Sequence, residues 1–374
     1  MGRRMTLVAA LCAGMLVGAW SPSRAQERTP DVIYVPTPHE AVTEMLRMAN
    51  VGKDDIVYDL GCGDGRIVVA AVKEFGAKKA VGIDIDPERI RESNQNAQEA
   101  GVTDRVTFLE QDLFQTDFSE ATIVALYLLD RLNVRLRPQL FRELRLGTRI
   151  VSHAFTMGEW KDDQTVDVEG DEDIVTLHFW ILPAPVAGIW RWTPPGGQGE
   201  CVLRLHQQFQ EVRGTVSMGD TETRITDAKL VGDQLSFTVA RDVGGQRVTA
   251  SYAGSVSGDT IGGGVSVQGG SAAGEHQWTA QRDPAELVGT WRWAEGQSGA
   301  ITVRNRNGRL VATSQAKGER SRVAHFYAYG GGFHFELPGN RTESYEGIVE
   351  GDRVIGRVTG RQRAARGWEA RREK

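Results

Sequence analysis

The run Asp59-Leu60-Gly61-Cys62-Gly63-Asp64-Gly65-Arg66 sets glycine at alternate positions directly after the apolar segment Ile56–Leu60. Such spacing lets the backbone turn tightly and lets a ligand approach its N–H groups with no Cβ in the way. A dinucleotide fingerprint requires Gly-x-Gly-x-x-Gly, but the sixth position here is Arg66, and Asp59 is equally foreign to that pattern. Two more carboxylates close apolar runs. Asp84 ends Val81-Gly82-Ile83, 23 residues after Gly61, a spacing that suits an acceptor for both hydroxyls of a ribose. Asp112 follows Phe108-Leu109-Glu110-Gln111. Taken singly, each acid could be a solvated loop carboxylate or a helix cap, and Asp86, directly before Pro87, reads as a cap. Three such segments in order, each at the end of its own apolar run, point to one ligand site.

The elements that must position these residues alternate. Strands are predicted at Ile56–Leu60, Ala80–Ile85, Val106–Glu110, Thr122–Leu126, Arg149–His153 and Val175–Leu182, with helices at 38–49, 65–75, 87–100 and 131–145. That order implies parallel βαβ units and a doubly wound α/β sheet, whose ligands bind beyond the carboxyl ends of the strands. Thr37, Pro38 and Glu40 form a capping-box signature for the first helix, and Gly76 and Gly101 sit where helices should stop. The chain has 374 residues, 40% hydrophobic and 25% charged, which excludes disordered and collagen-like classes. A net charge of -5 and no block of five Lys or Arg argue against a nucleic-acid partner. Cys12, Cys62 and Cys201 offer neither a disulfide framework nor a zinc motif, and no metal is expected.

The Asp-x-Gly-x-Gly-x-Gly run after a first strand resembles the S-adenosylmethionine site of class I methyltransferases. That ligand is a sulfonium cation with no pyrophosphate to cradle, so an acid beside the loop makes electrostatic sense. The resemblance implies a Rossmann-like methyltransferase sheet that binds S-adenosylmethionine through Tyr34, Thr37, Asp59, Gly61, Gly63, Gly65, Asp84, Asp112 and Leu113. Asp84 would take the ribose, Asp112 the adenine amino group, and Tyr34 and Thr37 would close over the methionine end. Tyr34-Val35-Pro36-Thr37-Pro38, Leu126-Tyr127-Leu128-Leu129 and Gly147-Thr148-Arg149-Ile150-Val151-Ser152 are similar to the mitochondrial lysine methyltransferases of the ATP synthase c-subunit and the adenine nucleotide translocase. That family implies a protein-lysine acceptor, and the resemblance covers about residues 31 to 160. Tyr127 is the candidate for a desolvating aromatic rim at the reacting amine; its alternative is a half-buried core aromatic. The Asn-Pro-Pro-Tyr signature of methyltransferases acting on bases or glutamine is absent after the fourth strand.

The rest of the chain is built differently. Of the 44 glycines, 31 lie from residue 184 onward, together with six of the nine tryptophans. Gly188-Ile189-Trp190-Arg191-Trp192 recurs as Gly289-Thr290-Trp291-Arg292-Trp293, and Trp278–Arg282 echoes Trp368–Arg372. Two all-β modules, barrels or sandwiches, are expected at 186–283 and 286–374, after an α/β domain at 31–183. A Gly-x-Trp first strand and an Arg on the last loosely resemble lipocalin-type barrels, in which that Arg stacks on the Trp. Residues 1–25 read as a signal peptide, with Arg3-Arg4, an apolar stretch from Thr6 to Trp20, and Ser23-Arg24-Ala25. The expectation is export across the inner membrane, or alternatively an N-terminal tether, with envelope or membrane-protein association open to it. A cofactor-fold binding module without catalysis and a small-molecule methyltransferase are the competing functions. The oligomeric state is not readable.

Overall fold

The computed structural model describes residues 30–374 apart from 170–173, 197–198, 284–286, 294–298, 307–308, 317–318, 330–331, 338–342, 351, 361–362 and 374. The expected signal peptide lies outside the described residues.

The first sheet has seven strands: β1 (Ile56–Leu60), β2 (Lys79–Asp84), β3 (Val106–Glu110), β4 (Ile123–Leu126), β5 (Arg149–His153), β6 (Gln164–Glu169) and β7 (Ile174–Ile181). Their order is β3-β2-β1-β4-β5-β7-β6. β1 pairs parallel to both β2 and β4, whereas β7 runs antiparallel to β5 and β6. Four helices are interleaved: α1 (His39–Met48), α2 (Arg66–Lys73), α3 (Pro87–Ala100) and α4 (Asp130–Glu143). The central strands read Ile-Val-Tyr-Asp-Leu and Ile-Val-Ala-Leu because helices cover both faces and leave no side for solvent. One core joins α1 and α2 to the sheet through Met45, Leu46, Val57 and Val68. The other joins α4 through Leu60, Ile83, Leu136, Leu140, Trp160 and Trp180. The strand order reverses between β1 and β4, so a crevice opens beyond their carboxyl ends.

The helix signals are met except at α1. Asp86 caps α3, accepting a hydrogen bond from the Glu88 N–H, and Gly101 ends it in the left-handed region. At α1 the N-cap is Pro38, with no side-chain cap. The capping box assigned to Thr37 is therefore corrected: its hydroxyl bonds His153 Nδ1 at 3.2 Å. Strand β6 has no counterpart among the predicted strands, since as a polar edge strand it carries the acids Asp167 and Glu169.

Two nine-stranded antiparallel sheets follow, with the same strand order. In the first, strand Gly188–Trp192 pairs with Gly274–Asp283; in the second, Gly289–Trp293 pairs with Arg363–Arg372. The edge strands of the first, Thr221–Arg224 and Thr226–Val231, are one residue apart in sequence, so the sheet curls back toward itself. Each interior is filled by aromatics: Trp190, Trp192, Phe237, Tyr252 and Trp278, then Trp291, Phe333, Phe335, Tyr345 and Trp368. The Arg282 guanidinium lies 4.1 Å from the Trp190 ring, and that of Arg372 lies 4.5 Å from Trp291. The Arg-on-Trp stacking expected from the repeat is present in both modules. The first module docks on the α/β domain by Phe209, which stacks on Trp160 at 5.8 Å.

Candidate active site

Beyond the carboxyl ends of β1, β2 and β4 lies a cavity of about 530 Å³, lined among others by Tyr34, Asp59, Gly63, Asp84, Asp112 and Tyr127. Of the residues expected from sequence, Thr37, Gly61 and Leu113 also reach it, and Gly65 does not. Gly65 starts α2 with a φ of 77°, and a Cβ there would strike Phe108 and Ser93, so it serves the packing of loop on strand.

The glycine loop is tied to the next strand: the Gly61 and Cys62 N–H groups donate to the Ile83 carbonyl at 2.8 and 3.0 Å. Gly63, at a φ of 52°, has the Tyr34 ring where its Cβ would be, with Cε2 2.3 Å from that point. Asp84 accepts from the N–H groups of Gly63 and Asp86, both at 2.9 Å, and so fixes the loop against the end of β2. Two acceptor oxygens leave lone pairs for further donors. The Asp112 carboxylate accepts from the Phe114 N–H at 3.0 Å and from Gln115 Nε2 at 2.7 Å.

Charge accumulates at the loop. Asp59 is 1% exposed, and burial, with Asp84 and Asp64 nearby, pushes its pKa up to about 8. Asp64 differs: burial works against its ionised form, yet the hydrogen bonds from Arg66 outweigh it and hold the carboxyl below its ordinary range. Arg66 grips Asp64 with Nε at 3.0 Å and Nη2 at 2.6 Å. A buried carboxylate beside two others is a poor place for an anion and a good one for a cation. With glycine in the loop and acids at the ends of β1 and β2, these residues fit S-adenosylmethionine.

The far wall is aromatic and apolar. The Tyr127 ring stacks on His153 with centroids 3.8 Å apart, and Phe155 lies 5.9 Å from it. Burial pushes the His153 pKa down to about 4 and raises that of the Tyr127 phenol. The irregular segment 30–37 forms the remaining wall, with Arg89 4.8 Å over the Tyr34 ring and the Thr37 carbonyl accepting from Arg66 Nη1 at 2.8 Å. Sequence alone does not single out His153, Phe155 or Arg66 as site residues. The rule that ligands sit beyond parallel strands could have found His153, the last residue of β5.

An α/β sheet of this order with an acid-flanked glycine loop at its switch point defines a class I S-adenosylmethionine-dependent methyltransferase. The profile of the ANTKMT methyltransferase domain matches residues 59–164. A protein-lysine N-methyltransferase of Saccharolobus islandicus is 46% identical over 153 residues, 41% of this chain and 95% of that protein. The ATP synthase c-subunit lysine N-methyltransferase of Mus musculus is 32% identical over 132 residues, 35% of this chain and 52% of that protein. A solved RNA methyltransferase of Salinibacter ruber, in complex with S-adenosyl-L-homocysteine, shares 51% identity. That match covers 39% of this chain and 93% of the other, with a TM-score of 0.38. The chain belongs to this family of S-adenosylmethionine-dependent methyltransferases.

Proposed function

We propose that the protein N-methylates a lysine side chain of another protein. The observation that carries this is the similarity to the Saccharolobus islandicus protein-lysine N-methyltransferase along nearly its whole length. The cavity supports it chemically. Lysine must reach the methyl donor neutral, and a wall of Tyr127, Leu129, Leu132 and Phe155 strips water from the ammonium and lowers its pKa. When bound, S-adenosylmethionine supplies a methyl group on a sulfonium, open to in-line attack by the amine lone pair. The proton released from the ammonium goes to solvent before attack. The protein's part is positioning and desolvation. Asp84 would hold the ribose hydroxyls and Asp112 the adenine amino group, and Gly61 and Gly63 would give the methionine end room. Asp59 favours the cation from beneath the loop.

The leader residues lead us to infer export across the inner membrane, with an N-terminal tether as the alternative. N-terminal sequencing of the periplasmic fraction tests it: a start at Gln26 supports export, and an intact Met1 in the cytosol overturns it.

The activity test has two stages. Calorimetry of the purified protein with S-adenosylmethionine and S-adenosylhomocysteine should show binding of both. Tritiated methyl should then pass to an extract of the source cell and resist ribonuclease, and acid hydrolysis should return it as methyl-lysine. Label lost to ribonuclease would make RNA the acceptor, label in small solutes a metabolite. Binding with no transfer would leave a cofactor-fold binding module.

A further inference from the structure

This inference deepens the reading of the cavity as the site of methyl transfer. Thr37 stands where the sequence calls for a helix cap, yet the α1 N-terminus has no side-chain cap. A side-chain cap would satisfy one of the backbone N–H groups left free at the helix start. The Thr37 hydroxyl instead bonds His153 Nδ1 at 3.2 Å, across 116 residues of chain, and both residues are buried. Sites where a locally favoured interaction is set aside are where function is expected.

Thr37 touches both walls of the cavity. Its carbonyl accepts from Arg66, which Asp64 of the glycine loop holds in place. Its hydroxyl reaches His153, whose ring lies flat on Tyr127. A continuous series of contacts thus runs from the glycine loop through Asp64, Arg66, Thr37 and His153 to the tyrosine. Because burial keeps His153 uncharged at neutral pH, the stack adds no positive charge beside an incoming amine.

We propose that Thr37 and His153 form a positioning pair, which fixes the Tyr127 ring at the acceptor and sets its distance from the cofactor loop. Neither residue takes the proton or the methyl group. The pair holds two walls in register; Thr37 also lines the cavity, where the sequence places it over the methionine end, but valine keeps its shape there, so loss of the pair affects turnover more than cofactor affinity.

The test compares Thr37→Val, His153→Phe, the double variant and Thr37→Ser in the full chain. Valine keeps the shape of threonine without the hydroxyl, phenylalanine keeps the stack without the nitrogen, and serine keeps the hydroxyl. The probes are S-adenosylhomocysteine for affinity and poly-L-lysine with tritiated S-adenosylmethionine for transfer. Each of the first two variants should lose about tenfold in kcat, and the double variant no more than the worse of them, since groups that act as a unit are not additive. Thr37→Ser should keep most of the rate, and S-adenosylhomocysteine affinity should stay within about threefold throughout. Losses that multiply in the double variant, an unchanged kcat, or an affinity loss equal to the rate loss would each overturn the pair. Should the wild-type chain bind S-adenosylhomocysteine but transfer nothing to poly-L-lysine, the lysine reading fails while the pair remains open to hydrogen exchange. The Val42 amide, which donates to the Pro38 carbonyl at the start of α1, should then exchange faster in both single variants, and no faster in the double than in either single. Exchange unchanged from wild type would refute it.

Discussion

Two buried ionisable groups, one in the α/β domain and one in the first β module, are handled in opposite ways. Arg282 is surrounded by what it needs: the carbonyls of Ala187 and Pro185 accept from it, the Asp259 carboxylate lies 3.2 Å from Nε, and the Trp190 ring lies against it. Burial still lowers its pKa to about 10, but the chain itself supplies the compensation. Asp59 is buried next to Asp84 and Asp64, charges of its own sign. A buried charge with partners of the opposite kind closes a structure. One placed among its own kind keeps its proton until a cation arrives, and under the proposed function that cation is the sulfonium of S-adenosylmethionine.

The largest loss is expected of Gly63→Val. The φ of 52° disfavours any branched residue, and the new side chain would meet the Tyr34 ring. Binding of S-adenosylhomocysteine should fall below detection by calorimetry, with the circular dichroism of the fold retained. Asp84→Ala comes next. It removes charge-assisted hydrogen bonds, at about 2–4 kcal/mol of S-adenosylhomocysteine affinity. An unchanged dissociation constant would mean that Asp84 only orders the loop through the Gly63 and Asp86 amides.

Arg282→Met tests the other side. It leaves the Ala187 and Pro185 carbonyls without their donor and should lower stability by about 1–3 kcal/mol in urea unfolding. Affinity for S-adenosylhomocysteine should not change, and a parallel loss would mean that the β module shapes the cofactor site.

The smallest effect is a slope with pH. Because the folded pKa of Asp59 lies above its ordinary 3.8, the folded protein holds this proton more tightly than the unfolded chain between about pH 4 and 8. Stability contributed at low pH is therefore lost as pH rises through that window. S-adenosylmethionine favours the ionised form, so its affinity should climb toward pH 8 and its binding should release protons, seen as a dependence on buffer ionisation heat. Asp59→Asn should flatten both slopes. Wild-type slopes in that variant would mean that another group carries the pH dependence.

Much of this was legible in the chain. The strands β1 to β5, the helices, the Asp86 cap and the repeat of Trp190 and Trp291 follow from local patterns, because burial on two faces selects apolar runs and a turn selects its residues. The acids at the ends of β1 and β2 were legible too, since a parallel sheet delivers every strand end to the same edge. Sequence placed Gly65 with the ligand; the sheet turned it toward Phe108 and Ser93. Strand β6 was not legible, because an edge strand can be polar.

Local pattern thus set the order of the elements and the residues at their tips, where periodicity and turn chemistry act over a few neighbours. Folding in three dimensions was needed to send the Thr37 hydroxyl from its helix to His153, to stack Tyr127 on that ring, and to pack Phe209 on Trp160. Those partners lie tens of residues apart or more. A hydroxyl with two competing partners, or a ring with several apolar neighbours within reach, is settled by which group the folded chain brings to it. No local pattern carries that information.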